Sequence, residues 1–499
     1  MQVQQTTRDL GAIFIFGLVL RLALLLAFPA PFGNDAFGRL YFRDTLFLAH
    51  WLPLAQAFVF FPALLTDKIV FIRLLFAVPA SLSACGFYLF LRLLVARPFA
   101  VIGGLLFAVN ALYVILSLMP YQDVLFLGLF YAALALLLRD EPKLQSKTGM
   151  MLYGLACLTR YESWFVLPLL VLWKTKIAAA GLTLAKVSKS FLKAAIFFGW
   201  APLLWLLLSQ LHWGNWNSFM HQTPDREFYA WHPHVDLMWA AQYAGRMLYW
   251  LVLFGSPLLL FALPGIRRFW QNRKALLPVL KLPLLACAVT LAFFFFIIGK
   301  EYGTVNRFAM FPMSLALIFA VLGMEMAYQS FSTRPGWRRK ILQPRVSDVL
   351  AISVLAGLVI YAAIPVSRLH ANPEFRDPYE ITQYLDRVLQ KDEKALVVAP
   401  HEQRWQGATP MAYQRIVAQS MHHRERILSA GLLQQTERSA LLQFAKENHV
   451  KYLVIFDNFS PWHPADVVFS EYAKMNRHQL KLVLQARAAT IHEVPAWQE

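Results

Sequence analysis

Long apolar runs constrain this chain more than any other feature of its sequence. About 20 apolar residues in a helix cross the roughly 30 Å hydrocarbon core of a bilayer. Such runs lie near residues 10–30, 69–91, 98–118, 123–138, 194–211, 238–264, 282–299, 308–328 and 348–366. Only 15% of the residues are charged, whereas about 25% are charged in an ordinary soluble protein. The sequence therefore predicts a polytopic, mainly α-helical membrane protein and excludes soluble and disordered classes.

A further apolar region, 150–173, is interrupted by the polar segment 159–163. It fits one span or two short limbs, each about ten residues or roughly 15 Å of helix. Basic residues favour two limbs, because Lys and Arg concentrate in cytoplasmic loops. With a cytoplasmic N-terminus and a return near Arg160, the inner loops hold about three times as many basic residues as the outer ones. This predicts about eleven membrane segments, an inner (plasma) membrane location and an extracytoplasmic C-terminus.

The same loops account for the net charge of +18, so we expect no nucleic-acid partner. Cys85, Cys157 and Cys287 lie in separate apolar segments, which predicts buried packing residues and no disulfide. The first apolar run is long for a signal peptide, and Pro29 and Pro31 disfavour a cleavage site after it. We therefore expect this run to remain as a membrane anchor.

The chain changes character near residue 369. Residues 1–368 are predicted to form the membrane domain, with interfacial helices in its first outer loop, 31–67. Residues 369–499 are predicted to form a soluble, extracytoplasmic α/β domain, with strands at 394–399, 452–456 and 479–485 and helices at 377–390 and 434–448. This part has no glycine-rich phosphate loop. Its simplest interpretation is an accessory domain that caps or orients the membrane part.

The first outer loop combines charges with apolar residues at helical spacing. Phe37, Leu40 and Trp51 alternate with Asp35 and Arg39, a pattern typical of an amphipathic helix in the membrane interface. In a purely structural interpretation, Asp35 is the N-cap of this helix and Arg39 extends to headgroup depth. In a functional one, the two side chains serve a site at the outer face.

Four parts of the sequence resemble the GT-C class of membrane glycosyltransferases, the relatives of protein O-mannosyltransferases and aminoarabinose transferases. They are DAFGR followed by WLPLAQ (35–39 and 51–56), QDVLF (122–126), GLACLTRYES (154–163) and RFAMFP (307–312). At Ser163 the family more often has glycine. The four parts occur in the family's order, and with the α/β domain the resemblance covers nearly the whole chain.

The resemblance implies that a monosaccharide moves from a polyprenyl-phosphate carrier to a lipid, glycan or protein acceptor, usually with inversion. The family's catalytic aspartate matches Asp35, which would be the general base. Cations must stabilise the leaving phosphate. The candidates for donor phosphate or sugar binding are Arg39, Arg43, Arg160, Glu162, Lys300 and Arg307, and Tyr121 and Asp123 are further candidates.

Each of these residues also has a structural interpretation. Arg160 and Glu162 could form a buried ion pair that closes the hairpin, and Asp123 could lie at a helix N-terminus, where the dipole favours an acid. The loop 212–237 contains four histidines among aromatic residues. Metal binding is one interpretation, but a membrane-surface or acceptor-binding loop is favoured. The first loop has no Asp-x-Asp pair, so we expect no required metal or other cofactor.

Two other functions compete with glycosyl transfer. A transporter or flippase of polyprenyl-linked glycans would also have many spans and intramembrane charges. The ionisable residues gather at one face rather than near the bilayer midplane, which favours an interfacial enzyme. An inactive scaffold whose outer domain binds a partner is the third hypothesis.

Overall fold

The computed structural model describes most of the chain, namely residues 2–48, 51–66, 68–139, 143–178, 184–216, 237–255, 257–296, 306–332, 344–398, 404–405, 409–420, 424–430, 433, 437–456, 464–476, 478–495 and 497. The chain divides into two compact units. The first, here called the membrane unit, comprises Met1–Leu26, Phe47–Ala57 and Leu74–Pro365. The second, here called the α/β unit, comprises Ala27–Leu46, Phe58–Arg73 and Val366–Glu499. Two segments that the sequence assigned to the membrane domain therefore belong to the α/β unit.

The helices follow the apolar runs closely. They are α1 (Gln2–Ala27), α2 (Asn34–Tyr41), α3 (Pro53–Ala63), α4 (Ile69–Leu91), α5 (Arg97–Val109), α6 (Ala111–Leu118), α7 (Gln122–Leu137), α8 (Lys143–Cys157), α9 (Glu162–Ala178), α10 (Leu184–Trp213), α11 (Leu237–Gly255), α12 (Ala262–Gln271), α13 (Arg273–Phe296), α14 (Met310–Ser332), α15 (Pro344–Ala371), α16 (Pro373–Val388), α17 (Met411–Gln419), α18 (Arg438–Glu447) and α19 (Pro464–Met475). Short 3₁₀ helices lie at Pro257–Phe261, Asn306–Ala309 and Arg424–Arg426.

The helices confirm a multi-pass membrane protein. Within the described residues, six helices are long and apolar enough to cross a bilayer, or up to eight if each of two bent helix pairs is one span. The predicted number of eleven is not confirmed. Helices α3 and α7 are apolar but shorter than a full span.

One predicted span, 98–118, is broken. Helices α5 and α6 meet at an angle of 54°, because the side chain of Asn110 caps α6 by accepting from the backbone N–H groups of Leu112 and Tyr113, at 3.1 and 3.4 Å. The amide of Asn110 also donates to the carbonyl of Phe254, at 2.9 Å. A polar side chain that replaces backbone partners is a common cause of such a break.

The interrupted region 150–173 forms two helices, α8 and α9, with a turn between them. The limbs have 15 and 17 residues, so the predicted length of about ten residues is wrong. The helices are longer because each continues into the lysine-containing segment beside it, where lysine is a good helix former.

Helices α4 and α7 approach each other at glycine. A Cβ atom on Gly86 would lie 2.2 Å from the carbonyl oxygen of Gly128, and one on Gly128 would lie 2.4 Å from the Cα atom of Ser83. Small residues let membrane helices pack with their backbones in contact. The three cysteines are buried and free, as predicted.

The α/β unit contains the strands β1 (Lys394–Val398), β2 (Arg404–Trp405), β3 (Thr409–Pro410), β4 (Ile427–Ser429), β5 (Val450–Phe456), β6 (Lys481–Gln485) and β7 (Ala489–Glu493). Five form one sheet in the order β4-β1-β5-β7-β6, while β2 and β3 pair separately. Strand β1 is parallel to β4 and β5, with Leu396 opposite Leu453. Strand β7 is antiparallel to β5 and β6.

Apolar side chains cover both faces of this sheet. One cluster includes Leu396, Leu441 and Phe469, and the other includes Ile381 and Val454. The continuous apolar runs of β1 and β5 suit central parallel strands. The predicted strands and helices of this part are confirmed, although Ile427–Ser429 and Ala489–Glu493 were not predicted as strands because they are short or mixed in polarity.

Candidate functional site

Asp35 lies in the first turn of α2. The helix begins after Gly33, whose φ of 85° is the left-handed conformation that glycine adopts readily. The N-cap residue is Gly33, and Asp35 lies inside the helix. The interpretation of Asp35 as the N-cap is therefore wrong. The helix dipole still favours an acid at this position. Asp35 is partly exposed, whereas Ala36 and Phe37 are buried.

The predicted interfacial helix does not turn its apolar face to lipid. Phe37, Leu40 and Trp51 are all buried within the protein. Arg39 is fully buried, with 0% of its surface exposed, so the interpretation that it extends to headgroup depth is wrong. Arg43 is also buried and donates to the carbonyls of Ala418 and Ser420, at 2.8 and 3.4 Å. A role for either arginine in donor binding stays a prediction.

Within the membrane unit, three candidate residues come together, although Asp123 and Arg160 are 37 positions apart in the sequence. Arg160, between α8 and α9, forms ion pairs with Asp123 of α7 and Glu162 of α9. Its Nε atom donates to Oε1 of Glu162 at 2.9 Å. The exposed fractions of the three side chains are 5% for Arg160, 0% for Asp123 and 7% for Glu162. Both acids lie in the first turn of their helices, so the favourable dipole and the ion pairs act together.

The turn that carries Arg160 is fixed by hydrogen bonds on both sides. The hydroxyl of Ser163 donates to the carbonyl of Arg160 at 2.6 Å, and that of Tyr153 donates to the carbonyl of Ser163 at 2.7 Å. The indole of Trp164 donates to the carbonyl of Cys157 at 2.9 Å. The backbone N–H of Leu54 donates to the carbonyl of Leu158 at 3.0 Å. These hydrogen bonds hold the GLACLTRYES segment in one conformation.

Arg307 adds a second cation to this group. It lies in the 3₁₀ helix before α14 and is close enough to Arg160 for their charges to repel. Its guanidinium carbon is 5.3 Å from the ring centre of Phe308. We call Asp123, Arg160, Glu162 and Arg307 the membrane cluster. It holds two carboxylates and two guanidinium groups. An anion bound there would reduce the repulsion between the two arginines.

Of the remaining candidates, Tyr121 and His212 are described, and the others lie outside the described residues. Tyr121 is the N-cap residue of α7, and its backbone N–H donates to Met119 at 2.7 Å. Lys300 lies outside the described residues, as does 217–236, which holds three of the four histidines of the predicted loop. His212 packs edge-on against Trp213, with ring centres 4.7 Å apart. Among the described residues, no three His, Cys, Asp or Glu side chains form a group that could hold a metal ion.

The sequence reasoning missed Arg21. This residue is fully buried in α1, where its Nε atom donates to the hydroxyl of Ser117 at 2.8 Å and its Nη1 atom to the carbonyl of Gly17 at 3.0 Å. The signal was available, because Arg21 is the only basic residue between Arg8 and Arg39. An arginine inside an apolar span is rare and usually has a purpose.

The chain has the fold of GT-C glycosyltransferases, as the four sequence motifs predicted. The crystal structure of ArnT from Cupriavidus metallidurans, bound to undecaprenyl phosphate, matches with a TM-score of 0.58 at 12% identity, covering 97% of this chain and 98% of ArnT. The apo oligosaccharyltransferase of Archaeoglobus fulgidus matches with a TM-score of 0.48 at 13% identity, covering 90% of this chain and 69% of that one. No protein-family model and no curated protein matches the sequence.

Proposed function

We propose that this protein is a membrane glycosyltransferase that moves a monosaccharide from a polyprenyl-phosphate carrier to an acceptor hydroxyl, with inversion. The membrane cluster is the observation that carries the proposal. Arg160 is almost completely buried between two carboxylates, with Arg307 nearby. Buried charges in an apolar helix bundle cost desolvation free energy, and for that reason they usually mark functional sites.

The nature of the carrier is supported by the structural neighbour. ArnT has the same fold along nearly its whole length and was solved bound to undecaprenyl phosphate. In the proposed reaction, Arg307 and Lys300 bind the donor phosphate. Arg160, oriented by Asp123 and Glu162, adds positive charge close to the sugar or the phosphate. Arginine suits this role because its planar fork can bind a phosphate through two hydrogen bonds.

Asp35 is the proposed general base. It takes the proton of the acceptor hydroxyl, whose oxygen attacks the anomeric carbon of the sugar. The bond between that carbon and the phosphate oxygen breaks, and the electron pair leaves with the polyprenyl phosphate. One displacement inverts the anomeric configuration. The residues named here supply the base and the cations, so we propose that the reaction requires no divalent metal.

A transfer assay with purified protein in nanodiscs tests this proposal. A panel of undecaprenyl-phosphate-linked sugars is offered with lipid and glycan acceptors, and released undecaprenyl phosphate is measured by mass spectrometry, with and without EDTA. We expect release from one donor, unaffected by EDTA. Intact passage of a labelled donor across proteoliposomes, with no cleavage of any donor, would instead establish a transporter.

Arg307 gives the assay a matched set of variants. Arg307→Ala should raise the donor concentration needed for half-maximal rate by an amount equivalent to about 2–5 kcal/mol, the cost of removing one partner of a desolvated charge pair. Arg307→Lys should restore only part of this, because lysine offers a point charge without the planar fork. Unchanged donor dependence in Arg307→Ala would remove this residue from the donor site.

The proposed orientation places the C-terminal part outside the inner membrane. Ser439 and Lys147 are both exposed, while the native cysteines are buried and should give little background. In intact cells, an impermeant thiol reagent should label Ser439→Cys and leave Lys147→Cys unlabelled. Labelling of both variants, or of Lys147→Cys alone, would contradict the orientation.

A further inference from the structure

Helix α2, which carries Asp35, is too short to hold its own position. It has eight residues, and its N-cap makes no side-chain hydrogen bond. An isolated helix of this length is unstable in water, so its stability must come from packing. Within the α/β unit, α2 packs against α17 and, through Phe37, against Phe375 of α16. The position of Asp35 therefore depends on contacts made by the C-terminal part of the chain.

An arginine holds the N-terminal half of α2. The rings of Phe37 and Phe375 are stacked, with centres 6.3 Å apart and planes at 15°. The guanidinium carbon of Arg415 lies 6.0 Å from the ring centre of Phe37 and 5.0 Å from that of Phe375. Phe37 is two residues after Asp35. A cation over two aromatic rings stabilises their arrangement, most strongly where water is excluded.

Arg415 is itself fixed in place. Its Nη1 atom donates to the carbonyl of Glu374 at 3.0 Å, and its Nη2 atom pairs with the carboxylate of the same residue. Only 6% of the Arg415 side chain is exposed. Asn372, two residues before Glu374, caps α16 by accepting from the Glu374 backbone N–H at 3.1 Å. Arg415, which supports Phe37, is thus anchored to the first turn of α16.

Two more arginines hold the C-terminal end of α2. Arg43 donates to the carbonyls of Ala418 and Ser420 at the end of α17, where the helix dipole favours a cation. Arg424 donates to the carbonyl of Tyr41, and its guanidinium carbon lies 5.3 Å from the ring centre of Tyr41. We call Arg43, Arg415 and Arg424 the arginine cluster. It fixes both ends of α2 to the C-terminal part of the α/β unit, residues 366–499.

We propose that the arginine cluster positions Asp35, so that the C-terminal part, residues 369–499, belongs to the catalytic apparatus and is more than an accessory domain. This inference rests on the proposed function, because it takes Asp35 to be the general base. It also assigns Arg43 to positioning, in place of the donor-binding role predicted from sequence. Arg415 and Arg424 act through α2 and touch no substrate. They are positioning residues.

The test uses the full-length protein in nanodiscs and two separate measurements. Hydrogen exchange of residues 34–41 reports on the mobility of α2 and needs no activity. The transfer assay reports kcat and the KM for the donor. Arg415→Ala and Arg424→Ala should both speed up exchange in 34–41 and lower kcat by about tenfold to a hundredfold, because small misplacements of a catalytic group are costly. The KM for the donor should stay the same.

Arg426→Ala is the matched control. Arg426 lies in the same 3₁₀ helix as Arg424, and it donates to the carbonyl of Gln390 at 3.0 Å rather than to α2. It should change neither exchange in 34–41 nor kcat. Arg415→Lys should restore kcat partly. If Arg415→Ala fails to fold, Arg424→Ala serves alone, since 29% of the Arg424 side chain is exposed and its loss is less disruptive.

Two results would overturn the inference. In one, exchange in 34–41 is the same in the variants and the wild type, so the cluster does not hold α2. In the other, exchange increases while kcat is unchanged, so the position of α2 does not matter for the reaction. If the wild type cleaves no donor, the proposed function fails, and the positioning role of the cluster fails with it. Exchange would still show separately whether the arginines hold α2.

Discussion

The membrane cluster and the arginine cluster use arginine in two different ways. In the membrane cluster, the guanidinium of Arg160 faces two carboxylates, and all three side chains are almost completely buried. In the arginine cluster, Arg43 donates to backbone carbonyls. Arg415 lies over two aromatic rings and pairs with the carboxylate of Glu374, which is 48% exposed. Removing the first kind of arginine leaves buried charges behind. Removing the second leaves carbonyls, aromatic rings and carboxylates that water can reach, since Glu374 and Asp44 are 48% and 70% exposed.

The partners of a buried arginine therefore indicate whether its role is chemical or structural. A guanidinium among carboxylates retains a local electric field that can act on a charged substrate. A guanidinium on carbonyls and rings joins two segments and has fewer donors left for a ligand. Sequence alone placed Arg43 and Arg160 in the same functional group, whereas the structure gives them different partners, carbonyls for Arg43 and carboxylates for Arg160.

The largest effect should come from Asp35, the acid whose position the arginine cluster supports. Asp35→Asn should lower turnover by about 10²–10⁴, the usual contribution of a positioned base. Donor binding should stay close to that of the wild type, and stability should change little, because the amide is nearly isosteric and the interaction of an acid with the helix dipole contributes about 0.3–1 kcal/mol.

Asp44→Asn is the control for this measurement. Asp44 is 70% exposed and lies 3.5 Å from Arg424, and such exposed pairs contribute little. Its turnover should resemble that of the wild type. If Asp35→Asn kept most of its turnover and Asp44→Asn lost it, the base would have to be reassigned to Asp44.

The next effect concerns the membrane cluster. Arg160→Met leaves two buried carboxylates without their cation, so the free energy of unfolding should fall by about 3–5 kcal/mol. Thermal unfolding in detergent would measure the loss. A triple variant that also carries Asp123→Leu and Glu162→Leu removes all three charges and should regain most of the stability, because apolar replacements of buried ion pairs are often neutral.

The triple variant also tests whether the cluster only closes the hairpin. In that structural interpretation, a stable, uncharged cluster would support normal transfer. If the cluster acts on the donor, the variant should be folded and inactive. A folded triple variant with wild-type turnover would refute the functional role of Arg160.

A smaller effect is expected in the arginine cluster. Arg43→Met removes charge-assisted hydrogen bonds to carbonyls, so the free energy of unfolding should fall by about 1.5–3 kcal/mol. The same thermal unfolding experiment compares it directly with Arg160→Met. A loss as large as that of Arg160→Met would erase the distinction between the two clusters.

The smallest effect concerns pH and lies away from both clusters. Burial raises the pKa of Glu393, but hydrogen bonds from Lys451 and from the backbone N–H of Gln390 outweigh this, and the pKa lies below its ordinary value. A lowered carboxyl pKa stabilises the folded state above the unfolded pKa of about 4.3. This stability should be lost as the pH falls through the folded-state pKa.

The size of this effect should be below about 1 kcal/mol, as for most ion pairs near the surface. Unfolding measured between pH 3 and 7, a range of roughly four units around the ordinary Glu pKa, should show a weaker acid dependence in Glu393→Gln than in the wild type. Equal acid dependence of the two proteins would show that Glu393 contributes nothing.

The fold could be predicted to the extent that it depends on local patterns. Apolar runs gave most helices of the membrane unit, and the alternation beyond residue 369 gave β1, β5 and β6. The break at Asn110 was missed because a single polar residue in an apolar run does not interrupt its hydropathy. The strand β4 was missed because its three residues are stabilised by pairing with β1 rather than by their own pattern.

The candidate site could likewise be predicted only where it depends on local patterns. Asp123, Arg160 and Glu162 lie in recognisable motifs, and a pair of Arg160 with Glu162 was among the interpretations of the sequence. The contact of Arg160 with Asp123 of α7 was not predicted and comes from the structure. The attachment of α2 to α17 could not be predicted, because it joins Arg43 to a carbonyl 375 residues later. No local pattern in the first loop indicates that its buried face matches a helix near the end of the chain.

The hydrogen bond between Arg43 and Ala418 also determines when during protein synthesis α2 can be held in place. Its two ends are separated by 375 residues, and ribosomes add about 5–20 residues per second, so the second end appears roughly 20–75 s after the first. During that interval the first outer loop is already made while its partner helix does not yet exist. The proposed base can therefore reach its working position only after synthesis is nearly finished, and a nascent chain that stops before α17 is predicted to be inserted but inactive.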